Sequence, residues 1–304
     1  MARSLSKKEG HKLNSWKIVP YCVVIPCMLI YLIFFYFNVG QGAAYSFTSW
    51  NGISAEKTFI GLQNYTDAFN SNYLQMTMKF TVIFAVIVLV LTNVLGLFLA
   101  VLLDKKIRGV NFFRGMYFFP AVMSTLTIAY IFNQIDYRLI TLLGEWLGNG
   151  TLSAGLFSSP VWAPYLVALT QVWQSFPVTM VIFLAGLQGV PEDILESARI
   201  DGASNMQMFW KIKMPMIIPS LMINLVNNTK TGITAFDIVM GTTAGGPGGA
   251  TYSFAMYMYI KYSKQEVGYA CAIAMIMAII FGVVATIQII YMLSLIHISL
   301  SLPQ

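Results

Sequence analysis

The sequence predicts an all-α membrane protein with six transmembrane helices. Three observations carry that prediction: an apolar composition, uncharged runs of spanning length, and a one-sided distribution of Lys and Arg. Apolar residues fill 57% of the 304 positions and charged residues 10%, too little polar surface to clothe a water-soluble globule of this size. Lipid must therefore be the solvent for most of the chain.

A hydrocarbon core of about 30 Å takes roughly 20 helical residues to cross. Five uncharged runs satisfy this: 18–37, 80–103, 115–135, a stretch within 146–188, and 267 to about 293. A sixth, 214 to about 240, is interrupted by Lys230 and Asp237, and its flanks require that it span. The first run follows a basic stretch, as a signal peptide would. Its 20 apolar residues exceed a usual signal core and no convincing small-x-small site follows, so it is expected to be a retained span.

Basic residues concentrate in alternate loops. Arg3, Lys7, Lys8, Lys12 and Lys17 precede the first run. Lys105, Lys106, Arg108 and Arg114 lie between the second and third, and Arg199, Lys211 and Lys213 between the fourth and fifth. The opposite loops hold Lys57, Arg138, Lys261 and Lys264. The positive-inside rule then places both termini in the cytoplasm, with residues 1–17 as a cytoplasmic tail. The net charge of +6 reflects this asymmetry; split among short loops, it does not describe a nucleic-acid surface.

Cys22, Cys27 and Cys271 lie inside apolar runs, where cysteine behaves as a small hydrophobe, and no disulfide framework is implied. His11 and His297 are the two histidines. No Asp, Glu and His cluster falls within the spans at catalytic or metal-ligand spacing, so neither an enzyme nor a metal or cofactor is expected.

Residues 190–215 form a cytoplasmic loop with helical grammar. Pro191 suits a first helical position, and Glu192 and Asp193 favour the positive end of a helix dipole. Gly202 can end that helix in the left-handed conformation. Ser204, with Gln207 three residues on, then forms a capping box that starts a second helix. Pro215 and Pro219 mark the entry into the fifth span. Such a hairpin could act as a rigid lever or lie on the lipid. Four acidic residues (Glu192, Asp193, Glu196, Asp201) against three basic ones weigh against anionic headgroups.

The run ESARIDGASNMQMFWKIKMP resembles the signature cytoplasmic loop of binding-protein-dependent ABC importer permeases: E-A-A, three residues, G, nine residues, I-x-L-P. Glu196, Ala198, Gly202, Ile212 and Pro215 fall on that pattern in register; Ser197 and Met214 depart from it conservatively. SFTSWNG, FIGLQNY, RGVNFFRGMYFFP, AGGPGGAT, YMYIKY and GYACAIA are similar to the carbohydrate branch of that family, the maltose, lactose and glycerol-phosphate type. The resemblance covers residues 17–292 and implies a type I ABC importer permease fold, with residues 18–293 forming the permease domain.

The resemblance further implies an ATPase dimer as a separate chain. The run AGGPGGAT lacks the Lys-Ser/Thr of a P-loop; it is expected to be a turning loop, or a contact with a docking binding protein. By position, Glu196 becomes a polar contact to the ATPase, Gly202 the turn that allows close approach, and Ala198 and Ala203 small surfaces at the joint. Asp201 adds a charged contact or caps the turn. A second, different permease subunit and an extracytoplasmic solute-binding protein complete the implied partners, and a sugar or oligosaccharide the implied cargo.

Polar residues at spanning depth are expected to face the bundle interior. Gln171, Gln174 and Ser175 share one face of the fourth span; Asn224, Asn228 and Thr231 share a face of the fifth. Their amides and hydroxyls suit sugar hydroxyls, and equally suit hydrogen bonds between helices. Lys230 and Asp237, seven residues apart, are expected on one face of the fifth span, pairing with neighbouring helices, lining the path or gating it.

An ion-coupled secondary transporter is the rival class, but the internal repeats expected of one are not visible. Within the importer class, glycerol-phosphate or another polar solute is the alternative cargo. Residues 294–304 carry no Lys or Arg, where the family usually has a basic tail. LSLIHI is also what one frame of a common transposase sequencing adapter encodes, so this end is expected to be an assembly artefact.

Overall fold

Residues 12–104 and 109–301 are described by a computed structural model, with side chains placed over 21–104 and 109–292. The N-terminal tail, the basic loop 105–108 and the side chains of the 294–304 tail lie outside the described residues.

Helix α1 runs from Lys12–Tyr31 through a wide π stretch, Leu32–Phe37, into Asn38–Tyr45. None of its apolar surface over the spanning window is buried. A short helix α2 (Gln63–Asn70) precedes α3 (Asn72–Leu103), whose N-terminus is capped by the Ser71 hydroxyl accepting the Tyr73 N–H at 3.2 Å. The buried positions of α3, from Phe80 and Phe84 through Val88, Thr92, Gly96 and Ala100 to Leu103, recur every three or four residues, the spacing of one helical face.

That face meets α6 (Ala163–Gln188). Phe80, Phe84 and Val88 pack with Val167, Ala168 and Val172; Ala100 and Leu103 pack with Met180, Phe183, Leu184 and Leu187. Gly96 permits the approach, since a Cβ there would lie 2.7 Å from Thr179 Cγ2 and 3.1 Å from the Met180 nitrogen. In lipid, where apolar burial gives helices little reason to associate, small residues at crossings are what let backbones pack.

The expected third span, 115–135, is not one straight helix. It is α4 (Val110–Val122) followed by α5, which begins at Thr125 and continues to Leu147, the two bent by 93°. Pro120 weakens the last turn of α4 by removing an N–H, and Met123 and Ser124 are both extended. Gln174 of α6 satisfies the break, donating to the Thr125 hydroxyl at 2.8 Å and towards the Met123 carbonyl at 3.5 Å.

The expected fifth span, 214–240, is also divided, which corrects the placement of Lys230 and Asp237 on one helical face. Helix α9 (Ile218–Ile233) ends before Asp237, the first residue of a separate helix α10 (Asp237–Thr242). Between them Phe236 has left helical geometry (φ −129°, ψ −62°), and the freed Ala235 carbonyl accepts the Ser253 hydroxyl. The side chain of Ser253 thus replaces a lost intrahelical bond, as broken helices require in a dry interior. The chain closes with α11 (Phe254–Ser263) and α12 (Val267–Ser301). Among the described residues, four helices are individually long and apolar enough to span, and six if each bent pair counts as one.

Candidate functional site: a polar cavity and a protruding hairpin

Between α6, α9 and the two helix breaks lies a cavity of about 450 Å³. All six polar positions singled out above line it: Gln171, Gln174 and Ser175 from α6, and Asn224, Asn228 and Thr231 from α9. Lys230 and Asp237 reach the same wall from their two helices. Neither forms an ion pair among the described residues.

Several of these side chains hold the helices together with one end. Asn224 Nδ2 donates to the Thr179 carbonyl at 3.2 Å, and Asn228 Nδ2 to the Thr179 hydroxyl at 3.2 Å. Within α6 itself, Gln171 Nε2 donates to Ser175 Oγ at 2.8 Å. Asn224 is 1% exposed, yet its Oδ1 has no donor among the described residues. A buried carbonyl oxygen left in this way costs free energy of about 1–3 kcal/mol. The oxygen is itself sealed from solvent, so it meets a ligand hydroxyl only once the Asn224 side chain turns towards the cavity.

Thr125 and Thr179 also line the cavity and were not singled out. Thr179 was legible, four residues beyond Ser175 on the same face. Thr125 was not, because it reaches the wall only through the bend after Met123.

At one end of the bundle, α7 (Glu192–Ile200) begins after Pro191, one residue later than its proline signal implied, with Glu192 and Asp193 in its first turn. It closes in a Schellman pattern. The Ala203 N–H bonds the Ala198 carbonyl at 2.9 Å, the Gly202 N–H bonds the Arg199 carbonyl at 3.1 Å, and Gly202 sits at φ +81°. The capping box follows, with the Ser204 N–H on Gln207 Oε1 at 2.8 Å and the Gln207 N–H on Ser204 Oγ at 3.3 Å. Helix α8 then runs Asn205–Met216 and bends 64° into α9. Ile217, at the bend, is 1% exposed and packs against the Leu103, Phe183 and Leu184 cluster.

Glu196, Asp201 and Gly202 are exposed; Ala198 and Ala203 are half-buried. A Cβ at Gly202 would meet nothing within 4 Å, so the space beside the turn is open. At the far end of the bundle, outside the spans, burial raises the Tyr252 phenol above its ordinary pKa, with Tyr73 and Tyr257 adding to the effect. Its ring packs where a Cβ on Gly245 would stand, 2.4 Å away, so the glycine-rich loop wraps a neutral aromatic side chain.

A bundle of apolar helices around a polar cavity, with an exposed helical hairpin continuous with one cavity wall, defines the class of a multi-pass membrane transport subunit. The chain belongs to the binding-protein-dependent transport system inner membrane component family, whose profile matches residues 110–294, and it is accordingly a protein of the cell membrane. It is 35% identical over 284 residues to the multiple sugar-binding transport system permease protein MsmF of Streptococcus mutans, covering 93% of this chain and 96% of that one. To the probable starch degradation products transport system permease protein AmyD of Thermoanaerobacterium thermosulfurigenes it is 33% identical, covering 82% and 85%. Its fold matches a chain of the bacterial alginate ABC transporter, solved with an alginate pentasaccharide-bound periplasmic protein. The TM-score is 0.72 at 19% identity, covering 92% of this chain and 93% of that one.

Proposed function

We propose that this chain is one permease half of an ABC importer that passes a sugar or short oligosaccharide, delivered by an extracytoplasmic binding protein, through the Gln171 and Asn224 cavity. The carrying observation is that amides and hydroxyls from two helices converge on one cavity, about 450 Å³. The volume falls in the range of ordinary ligand sites, about 300–1,000 Å³. Lys230 alone would favour an anionic solute such as glycerol-phosphate; Asp237 on the same wall offsets it, which favours a neutral polyol. The names of MsmF and AmyD point to the same solute class.

In this reading the chain crosses the membrane six times, counting each bent pair as one span, with both termini and the hairpin in the cytoplasm. The excess of Lys and Arg on that side supports this orientation. A separate ATPase dimer grips the hairpin through Glu196, Asp201 and the open side of Gly202, while Ala198 and Ala203 keep the joint small. Because α8 leads into α9 through the buried Ile217, displacement of the hairpin shifts the wall that carries Asn224, Asn228 and Thr231. A second permease subunit closes the other side of the path.

The test is uptake by vesicles holding the complete transporter with its ATPase, second permease and binding protein. Sugar accumulation that requires ATP, and that Asn224→Leu and Gln171→Leu each lower about fivefold or more while the complex stays assembled, is the expected result. Full uptake in both variants would sink the reading.

A further inference from the structure

Of the two ion pairs among the described residues, one joins α3 to the hairpin's second arm: Lys213 Nζ lies 2.7 Å from Asp104 Oδ2, with side-chain exposures of 24% and 18%. Asp104 immediately follows the last residue of α3, the helix packed along α6, and its N–H bonds the Ala100 carbonyl at 2.8 Å. A carboxylate is unfavourable there, because the C-terminus of a helix is the negative end of its dipole. Two cations answer it: the Arg114 guanidinium donates to the Leu103 carbonyl at 3.0 Å, and Lys213 takes Asp104 itself.

Lys213 precedes the buried bend at Ile217 by four residues, about one helical turn. The arm is therefore held at two adjacent points, by apolar packing at Ile217 and by charge at Lys213. Beyond them the hairpin is largely exposed, with Met208 its one buried side chain among the described residues. A lever that is free to tilt at its root absorbs displacement instead of passing it on.

We propose that Asp104 is a positioning residue: through Lys213 it braces the root of the hairpin against α3, so that movement of the hairpin tip reaches α9 and the cavity wall. This rests on the reading of the hairpin as the ATPase-coupling element. A partly solvated pair adds little to global stability, so its loss should be felt in coupling and not in folding.

The experiment uses the complete transporter reconstituted in vesicles. ATP hydrolysis is measured without its binding protein and with that binding protein as purified, and the ratio is the stimulation. Asp104→Asn and Lys213→Met should each cut stimulation about threefold or more, the scale expected for residues on a coupling route, with melting unchanged. The exchanged pair Asp104→Lys with Lys213→Asp should restore stimulation, and Asp104→Glu with Lys213→Arg should keep it. Full stimulation in the single variants overturns the proposal, as does an exchanged pair as impaired as they are. If a single variant fails to assemble, the exchanged pair decides alone. Gly202→Trp separates the two levels: if it keeps full stimulation, the coupling reading fails, whereas impairment by Gly202→Trp alone leaves only the brace refuted.

Discussion

The Ala203 N–H reaches back five residues to the Ala198 carbonyl at 2.9 Å, closing the end of α7 over Gly202. This bond gives a physical reason for two small residues flanking a glycine at these offsets. The closing turn brings the side chains on either side of the glycine together, and only a residue at ease with positive φ can stand between them.

Gly202→Trp is therefore expected to do two separable things. The left-handed backbone costs about 1–3 kcal/mol for a bulky residue, and the indole fills the open space that the ATPase would occupy. Gly202→Asn, which tolerates that backbone better, should retain most uptake, while Gly202→Trp should lose it with the complex still in the membrane. Uptake and membrane content measured on the same cells check both; normal uptake by Gly202→Trp refutes the contact.

The hairpin was legible because its signals are local. Pro191, Gly202 and the Ser204 and Gln207 pair each act within one helical turn, and capping chemistry needs no distant partner. The cavity-lining faces of α6 and α9 were legible for a related reason, since amides in an apolar helix must point inward. The two breaks were not. The bend after Val122 depends on Gln174, about 50 positions away in sequence, and the end of α9 on Ser253 meeting Ala235. Continuous hydropathy across 115–135 gives no sign of the first, and the charges at Lys230 and Asp237 interrupt 214–240 without marking where the helix ends. Asp237 was misplaced on the face of Lys230 for that reason.

Asn224 separates a scaffold role from a ligand role. Its Nδ2 binds the Thr179 carbonyl, whereas Oδ1 has no donor among the described residues and is reached by solute only if the side chain turns. Asn224→Asp keeps an acceptor at the cavity and loses the donor to Thr179, while Asn224→Leu removes both. If Oδ1 accepts from solute, Asn224→Leu should lower uptake by about 5- to 150-fold, the span of 1–3 kcal/mol, and Asn224→Asp should fall between it and the parent. Initial uptake rates at fixed binding-protein concentration measure this. Equal losses in the two variants would make Asn224 a helix fastener alone.

Lys230 and Asp237 make opposite predictions about charge. Removing the cation with Lys230→Gln leaves Asp237 uncompensated on the wall and should reduce passage of acidic sugars more than neutral ones. Asp237→Asn should do the reverse, with a selectivity change of about tenfold for one charge interaction near 1.4 kcal/mol. Competition between labelled neutral and uronic-acid oligosaccharides reads the ratio. Parallel losses for both solute types would remove these residues from selectivity.

Gly232 sets how closely α9 lies on α3. A Cβ there would stand 2.7 Å from Ala85 Cα and 2.8 Å from Ala85 Cβ, and real Cβ atoms do not come so near backbone, so Gly232→Ala must push the two helices apart. Overpacking of this kind costs about 1–3 kcal/mol, and melting of the detergent-purified complex should fall accordingly. Ala85→Gly removes only one of the two obstructing atoms, because the Cα remains. The double variant should therefore recover part of the lost stability and no more. Since α9 carries Asn224, Asn228 and Thr231, the same displacement should widen the cavity and lower uptake in step with melting. A fully stable Gly232→Ala, or complete rescue by Ala85→Gly, would show that the α3 and α9 crossing is looser than these distances require.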